Sequence, residues 1–294
     1  MCSSENPKPL FKKKGWQFVS CEKCGFIYVN PRLSEEDTAL IYQESNWFKG
    51  KRCDDSRGKN YLAGETAYVE RAKTDIKGIK RYIQRGVILD IGCGIGHFLC
   101  VAYADGWNVY GVEISPFAVT ICKEKGLNVF CGTFSAAKYK DDMFDVITAF
   151  DVLEHIVEPN SFMTEVSRIL KKNGLFIVSV PNVASFAAKV KRSKWSQFIV
   201  PEHLNYFSSQ TMSNFLVKHN FKILDIYSEP SLTLGTREFL RSIFSKPIWL
   251  NNLFNNLADN ITLFKKYVFY PPINKITKKY RIEANLLVAY AMKK

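Results

Sequence analysis

The chain has 294 residues, of which 47% are hydrophobic, and a formal net charge of +13. A chain of this length and apolar content is able to bury a full core, which excludes a disordered protein. The eight cysteines are too sparse for a disulfide scaffold, and the first residues lack the apolar core of a signal peptide. Stretches of about 18 uninterrupted apolar residues are absent. The sequence therefore predicts a globular protein of the reducing cytoplasm.

The first predicted element, residues 1–33, contains a short cysteine motif. Cys21 and Cys24 lie in SCEKCGFIYVNPR, which predicts a knuckle between two short strands. Residues 34–84 follow as an N-terminal helical segment. Ser34 precedes Asp37 by three residues, a helix-start pattern, and apolar residues recur at helical spacing between Thr66 and Ile83.

The central predicted unit, residues 85–229, alternates apolar runs with amphipathic helices. Strands separated by helices of this length indicate βαβ units and a mostly parallel sheet covered on both faces. The final strand lies in residues 281–294 and completes a sheet of seven strands. The predicted strands are Val87–Ile91, Asn108–Glu113, Asn128–Phe130, Phe144–Phe150, Leu175–Val180, Lys222–Tyr227 and Leu286–Ala291.

Residues 230–280 interrupt this alternation and are predicted to be a basic helical insertion. Residues 229–294 contain eleven Lys or Arg and four acids, so 11 − 4 places +7 of the +13 in this last quarter. Within the insertion, apolar residues between Leu250 and Phe264 recur on one helical face. That face would pack on the sheet or contact a membrane surface peripherally.

A glycine-rich loop follows the first strand of the central unit. In VILDIGCGIGHF, Gly92, Gly94 and Gly96 alternate with other residues, and His97 stands where a dinucleotide fingerprint needs a small residue. Asp90 places a carboxylate beside the loop, which disfavours a pyrophosphate and favours a cationic group. Glu113 ends the second strand, where an acid accepts hydrogen bonds from ribose hydroxyls.

From about Thr66 to Tyr227 the chain resembles the class I S-adenosylmethionine-dependent methyltransferases. The resemblance rests on DIGCGIGH and, in order, on CGTFSAA, FDVITAFDVLEHIVEP and LKKNGLFIVSVPN. It implies a Rossmann-like methyltransferase fold that binds S-adenosylmethionine, with adenine covered by the segment after the third strand. The cofactor-binding residues implied are Asp90, Gly92, Cys93, Gly94, Gly96, Glu113, Ile114, Thr133, Phe134, Phe150 and Asp151.

His155 and His203 are the candidate catalytic residues. A hydroxyl acceptor must lose its proton, and histidine is the natural base near neutral pH. His155 follows the fourth strand and His203 follows the fifth, so both fall at the carboxyl edge of the sheet; structural roles remain open for both. Asp151, Glu154 and His155 also resemble the divalent-metal site of ubiquinone-biosynthesis O-methyltransferases, which would suit Mg²⁺.

The cysteine motif resembles a zinc ribbon that precedes the catalytic domain in many sugar and small-metabolite methyltransferases. Tetrahedral zinc needs four ligands, and this chain offers Cys2, Cys21 and Cys24, so the site is partial. Cys53 is a further candidate without a spacing argument. We therefore expect any structural Zn²⁺ to be held at a site for which the sequence indicates three of the four ligands.

The resemblance implies O-methylation of a sugar, a polysaccharide end or a lipid-linked small metabolite. Two alternatives stay open. A nucleic-acid methyltransferase would suit the knuckle and the charge, although FDVLEH is unlike the Asn- or Asp-Pro-Pro-Tyr type sequence of many amino-methylating enzymes. A non-catalytic protein that binds S-adenosylmethionine would keep the glycine loop without turnover.

Overall fold

The computed structural model describes residues 7–43, 49–51, 57–60, 65–229 and 283–294. The predicted insertion at 230–280 lies outside the described residues, as do Cys2 and Cys53. In the part of the chain that is described, no helix is both long and apolar enough to cross a membrane.

A seven-stranded sheet forms the centre of the fold. Its spatial order is β12-β13-β10-β9-β6-β7-β8, and β13 runs antiparallel to both of its neighbours, β10 and β12. The sequence prediction of a mostly parallel, seven-stranded Rossmann-like sheet is thus confirmed. The strands are β6 (Val87–Ile91), β7 (Asn108–Glu113), β8 (Val129–Cys131), β9 (Phe144–Phe150), β10 (Leu170–Pro181), β12 (Phe221–Glu229) and β13 (Leu286–Lys293).

Helices cover both faces of this sheet, as buried apolar strands on both faces require. One face packs against apolar side chains of α2, α3 and α4, and the other against those of α5 and α7. The helices are α1 (Glu35–Gln43), α2 (Glu65–Ile79), α3 (His97–Ala104), α4 (Pro116–Glu124), α5 (Pro159–Ile169), α6 (Phe186–Lys191) and α7 (Ser209–Lys218).

A second, four-stranded sheet joins the N-terminal element to the core. Its order is β1-β2-β3-β11, with β1 (Pro7–Lys13), β2 (Trp16–Cys21), β3 (Ile27–Val29) and β11 (Asn205–Tyr206). β11 belongs to the segment that follows β10. The N-terminal strands therefore pair directly, through β3, with a segment of the core. Phe18 and Val29 pack there against Trp195, Phe198 and Tyr206.

The N-terminal helical segment contains strands as well as helices. β4 (Lys49–Lys51) pairs antiparallel with β5 (Arg57–Asn60) between α1 and α2. Among the described residues of the segment predicted as helical, 34–84, a pair of antiparallel strands therefore lies between α1 and α2. Helix α2 begins at Glu65 and ends at Ile79, earlier than the apolar spacing to Ile83 suggested.

Candidate active site

The glycine loop turns sharply between β6 and α3 because three glycines adopt positive φ. Gly92, Gly94 and Gly96 have φ values of 70°, 54° and 81°, a region that costs little only for glycine. A Cβ on Gly92 would lie 2.6 Å from Val152 Cγ2, and one on Gly96 would lie 2.5 Å from Leu127 Cδ1. Gly92 therefore permits close approach of the loop after β9, whereas Gly96 permits close approach of Cys122 in α4 and of Leu127 after it.

Glu113 holds the loop through backbone hydrogen bonds. The amide of Gly94 donates to its Oε2 at 2.9 Å, and the amide of Ser115 donates to its Oε1 at 2.9 Å. Burial raises the pKa of Glu113, and these two amides oppose that rise. Since each carboxylate oxygen has a second lone pair, Glu113 is still able to accept hydrogen bonds from a diol.

Asp90 is a buried carboxyl at the end of β6. Thr148 donates a hydrogen bond from Oγ1 to Asp90 Oδ1 at 2.7 Å. Burial raises the pKa of Asp90 to about 7, the Thr148 bond opposes the rise, and the Asp75 and Glu113 carboxylates add to it. A cationic ligand beside Asp90 would favour its ionised form, as opposite charges do.

A cavity of about 430 Å³ opens at the carboxyl edge of the sheet, within the usual size range of ligand pockets. The sequence-predicted cofactor residues line it, with the exception of Gly96. The lining predicted residues are Asp90, Gly92, Cys93, Gly94, Glu113, Ile114, Thr133, Phe134, Phe150 and Asp151. Their assignment to cofactor binding stays a prediction, but the fold does bring them to one place.

One wall of the cavity comes from α2, which sequence reasoning did not include in the site. Tyr68, Arg71 and Asp75 line it from one face of the helix. Arg71 Nε lies 2.9 Å from each carboxylate oxygen of Asp75, and Arg71 also forms an ion pair with Glu229. The only sequence signal was an Arg and an Asp four residues apart on the apolar face of a helix.

The Arg71–Asp75 pair makes this wall charged although it is largely buried. Burial raises the pKa of Asp75 to about 6, with Arg71 opposing the rise and Glu229 and Asp151 adding to it. Burial lowers the pKa of Arg71, but the Asp75 and Glu229 carboxylates outweigh it, so the net shift is upward. A permanent cation and several carboxyls thus lie where an amino-acid zwitterion would find complementary charges.

Aromatic side chains also line the cavity. Phe134 packs against Phe162 with ring centroids 5.2 Å apart, and Phe150 packs edge-on against Phe98 at 5.3 Å. Phe134 is buried, whereas Thr133 is exposed. A flat base would find stacking surface here rather than charge.

His155 lies beyond β9 on the cavity wall, and its contacts define its tautomer. Its Nδ1 lies 2.8 Å from the Glu202 carbonyl oxygen and 2.7 Å from the Tyr42 hydroxyl oxygen. Because a carbonyl only accepts, we assign the hydrogen to Nδ1. The Nε2 atom of the neutral ring then carries the lone pair.

His203 does not line the cavity but lies directly behind His155. The two rings are 4.8 Å apart and nearly perpendicular. His203 Nδ1 donates to the Gln197 carbonyl oxygen at 2.9 Å by the same argument, and the residue is buried. Of the two predicted catalytic histidines, the structure thus places His155 at the cavity and His203 in its support.

The metal-ligating set differs from the one the sequence resemblance implied. Ligand atoms of Glu154, His155 and His203 lie within 4.8 Å of one another, and Asp151 is not a member of this group. Two imidazole nitrogens and one carboxylate suit Zn²⁺, Mn²⁺ or Fe²⁺ better than Mg²⁺, which prefers oxygen ligands. Among the described residues the structure thus groups Glu154 and His155 with His203, and the Mg²⁺ site implied for Asp151, Glu154 and His155 stays a prediction.

The predicted cysteine knuckle lies between β2 and β3. Cys21 ends β2, its carbonyl accepts from the Gly25 amide at 2.8 Å, and its amide donates to the Phe26 carbonyl at 2.9 Å. Cys24 lies in the turn and is partly buried, while Cys21 is buried. The backbone thus brings both cysteines to one tight turn, and the zinc prediction remains untested.

The sheet order, the glycine loop and the two acids at the ends of β6 and β7 define a class I S-adenosylmethionine-dependent methyltransferase. A family model described as a methyltransferase domain matches residues 68–226, more than half of the chain. The chain belongs to this family.

Among similar proteins is an uncharacterized protein of Methanocaldococcus jannaschii, 29% identical over 51% of this chain and 71% of that protein. A ubiquinone biosynthesis O-methyltransferase of Bradyrhizobium sp. is 30% identical over 41% of this chain and 55% of the relative. The match thus spans about half the length of that O-methyltransferase. A methyltransferase structure from Archaeoglobus fulgidus, described as S-adenosylmethionine dependent, shares the fold at 19% identity and a TM-score of 0.51, covering 80% of this chain and all of the other.

Proposed function

We propose that this protein transfers the methyl group of S-adenosylmethionine to a hydroxyl of a small molecule, with His155 as the general base. The observation that carries the proposal is the 2.8 Å contact between His155 Nδ1 and the Glu202 carbonyl oxygen, from which we assign the hydrogen to Nδ1. This assignment leaves the basic nitrogen, Nε2, on a residue that lines the cavity. Similarity to proteins named O-methyltransferases supports the same acceptor atom.

When bound, S-adenosylmethionine supplies an electrophilic methyl group on a sulfonium. Asp90 and Asp75 would hold its positively charged end, Arg71 would meet the carboxylate of the methionyl part, and Glu113 would accept hydrogen bonds from the ribose hydroxyls. Phe134 would cover the base. Holding the acceptor in line with the methyl group contributes about 7–11 kcal/mol to lowering the barrier.

His155 takes the proton of the acceptor hydroxyl at Nε2 while its Nδ1–H stays bonded to the Glu202 carbonyl. The imidazolium that forms lies with Nε2 at 3.9 Å from Glu154 Oε1, so a buried carboxylate stabilises the charge. His203 packs edge-on against the ring and limits its rotation. The acceptor class we propose is a sugar, a polysaccharide end or a lipid-linked metabolite, because the family resemblance of the N-terminal element favours it.

The test is methyl transfer from radiolabelled S-adenosylmethionine to phenolic, sugar, lipid-linked-sugar and RNA acceptors, after cofactor binding has been measured by calorimetry. Label in a hydroxylated small molecule, lost in His155→Ala and kept in His219→Ala, supports the proposal. Label in RNA would replace it with the nucleic-acid alternative. Cofactor binding without transfer to any acceptor would favour the non-catalytic alternative.

The zinc ribbon is a separate proposal that rests on Cys21 and Cys24 meeting in one turn. Together with Cys2 they would supply three of the four ligands that tetrahedral zinc needs. Metal analysis of purified protein, with Cys24→Ser as the comparison, tests it. Equal zinc content in both proteins would contradict it.

A further inference from the structure

A basic surface lies outside the cavity, on residues that sequence reasoning did not single out. We call it the basic patch, and it combines the tip of the β1–β2 hairpin with α6 and the turn that follows α6. Its members are Lys12, Lys13, Lys14, Lys189, Lys191, Arg192 and Lys194.

The two halves of the basic patch are joined in space. Lys13 donates from Nζ to the Trp195 carbonyl oxygen at 3.2 Å. Phe11 packs against Phe198 with ring centroids 5.0 Å apart. The hairpin tip therefore lies against the segment that carries the other four cations.

Acidic residues do not offset this charge within either stretch. Residues 7–21 and 184–201 contain no Asp or Glu. Glu283 approaches the start of α6, where its carbonyl accepts from the Phe186 amide, but its carboxylate accepts a hydrogen bond from Asn182 Nδ2 at 2.9 Å. Lys12, Lys189, Arg192 and Lys194 are exposed at this surface, and positive charges gathered on one surface favour a polyanionic partner.

Apolar side chains are exposed within the same surface. Phe186 is 44% exposed and Val190 is 54% exposed. They are four residues apart on α6, so they lie on one face of the helix. Lys189 and Lys194, both exposed, flank them in the sequence.

Nucleic acid and a membrane with anionic lipids are the two polyanions that a basic surface would bind. The exposed apolar side chains beside the cations favour one of them. Nucleic acid would use the cations and one aromatic ring, Phe186, but it would leave the more exposed aliphatic Val190 without a stacking role. A membrane with anionic lipids uses both, because lysines attract the headgroups while Phe and Val enter the interface. The patch chemistry thus favours a lipid surface.

We propose that the basic patch binds an anionic membrane surface and docks this protein there peripherally. The segment that carries α6 continues to Glu202 and His203, which contact His155 at the cavity. The protein would then be held at the membrane by the segment that also contacts His155, and a lipid-linked acceptor, which rests on the proposed function, would reach the cavity from that surface. The binding itself does not depend on methyl transfer.

The experiment measures sedimentation of the whole protein with vesicles of phosphatidylcholine alone or with 30% phosphatidylglycerol, a composition chosen as about that of an anionic leaflet. The patch variant is Lys12→Gln, Lys189→Gln, Lys194→Gln. Its matched control, Lys77→Gln, Lys123→Gln, Lys172→Gln, removes the same charge from exposed lysines elsewhere. A second variant, Phe186→Ser with Val190→Ser, tests the apolar component.

We expect binding to the anionic vesicles only, weakened about a hundredfold in the patch variant because each lysine near the surface contributes about fivefold. The control variant should bind as the wild type does, and the apolar variant should bind about tenfold more weakly. Equal binding of the patch and control variants would overturn the proposal and assign any membrane contact to other residues. Absence of vesicle binding, with a patch-dependent shift on a 20-nucleotide RNA instead, would also overturn it.

Discussion

The two ends of the cavity are built in different ways. At the proposed cofactor end, Asp90, the glycine loop and Glu113 come from two neighbouring parallel strands and the turn between them. At the proposed acceptor end, Tyr42 and His155 line the cavity from α1 and the loop after β9, and the Glu202 carbonyl contacts His155 from the segment after β10. Parallel strands bring the first set together wherever the sheet forms, whereas the second set meets only when three separate segments pack correctly.

This difference predicts which substitutions should affect cofactor binding and which should affect turnover. The cofactor end relies on backbone conformation and close approach, so a single Cβ on Gly92 would collide with Val152. The acceptor end relies on hydrogen bonds between side chains and carbonyls of distant elements. Changes there should alter turnover while leaving cofactor binding intact, and changes to the loop should do the reverse.

The largest expected effect separates the two ends most directly. His155→Ala should lower kcat about 10²- to 10⁴-fold because the general base is removed, while the Kd for S-adenosylmethionine stays within about twofold. Single-turnover kinetics and calorimetry measure the two quantities. His219→Ala is the control, since His219 bonds to Asn160 and does not line the cavity. Unchanged turnover in His155→Ala would return that residue to a structural role.

At the cofactor end, Gly92→Ala should weaken S-adenosylmethionine binding about a hundredfold because it adds a collision to a φ of 70°. Gly106→Ala is the matched control: its φ is 91°, with nothing within 4 Å of the added Cβ. Both variants carry the backbone cost of about 1–2 kcal/mol. Equal losses of cofactor affinity in the two would mean that strain, not close approach, is what matters.

The pH dependence of cofactor affinity should follow Asp90. Its pKa of about 7 means that a cationic ligand competes with a proton, so affinity should rise up to tenfold per pH unit below about 7 and level off above it. Asp90→Asn should flatten the profile as well as lower affinity. A profile that is unchanged in Asp90→Asn would assign the titration to another group.

For the protein without cofactor, the raised pKa of Asp90 makes the free energy of unfolding fall with rising pH, whereas cofactor affinity rises. A carboxyl that binds its proton more tightly when folded contributes stability at low pH, and this contribution is lost as pH rises from about 4 to about 7. Asp75, with a pKa of about 6, adds in the same direction. Thermal unfolding without cofactor should therefore show Asp90→Asn gaining stability over wild type near pH 8, and a loss there would contradict this account.

The smallest effect concerns the hydrogen bond between Tyr42 and His155. Tyr42→Phe should lower kcat about threefold to tenfold, since one neutral hydrogen bond is worth about 0.5–1.5 kcal/mol, and should shift the pH profile of kcat. Tyr103→Phe is the control because Tyr103 is 68% exposed. A pH profile that does not move would make Tyr42 a packing residue and not a positioning residue.

The sequence alone determined the sheet, the glycine loop and the two strand-end acids. These features repeat at short range: βαβ alternation fixes a parallel sheet, and parallel strands end at one edge. The sequence also placed His155 at that edge, because it directly follows β9.

Only the tertiary structure decided which distant residues complete the site. Arg71 and Asp75 sit on an amphipathic helix whose pattern resembles any core helix, so nothing local indicated that its face lines a cavity. His203 was predicted as a second catalytic residue, and packing places it behind His155. His203, and not the predicted Asp151, forms the group of ligand atoms with Glu154 and His155. These contacts join polar side chains that are far apart in the sequence. The hydrophobic pattern predicts helices and strands, but it does not indicate which distant polar side chains will meet.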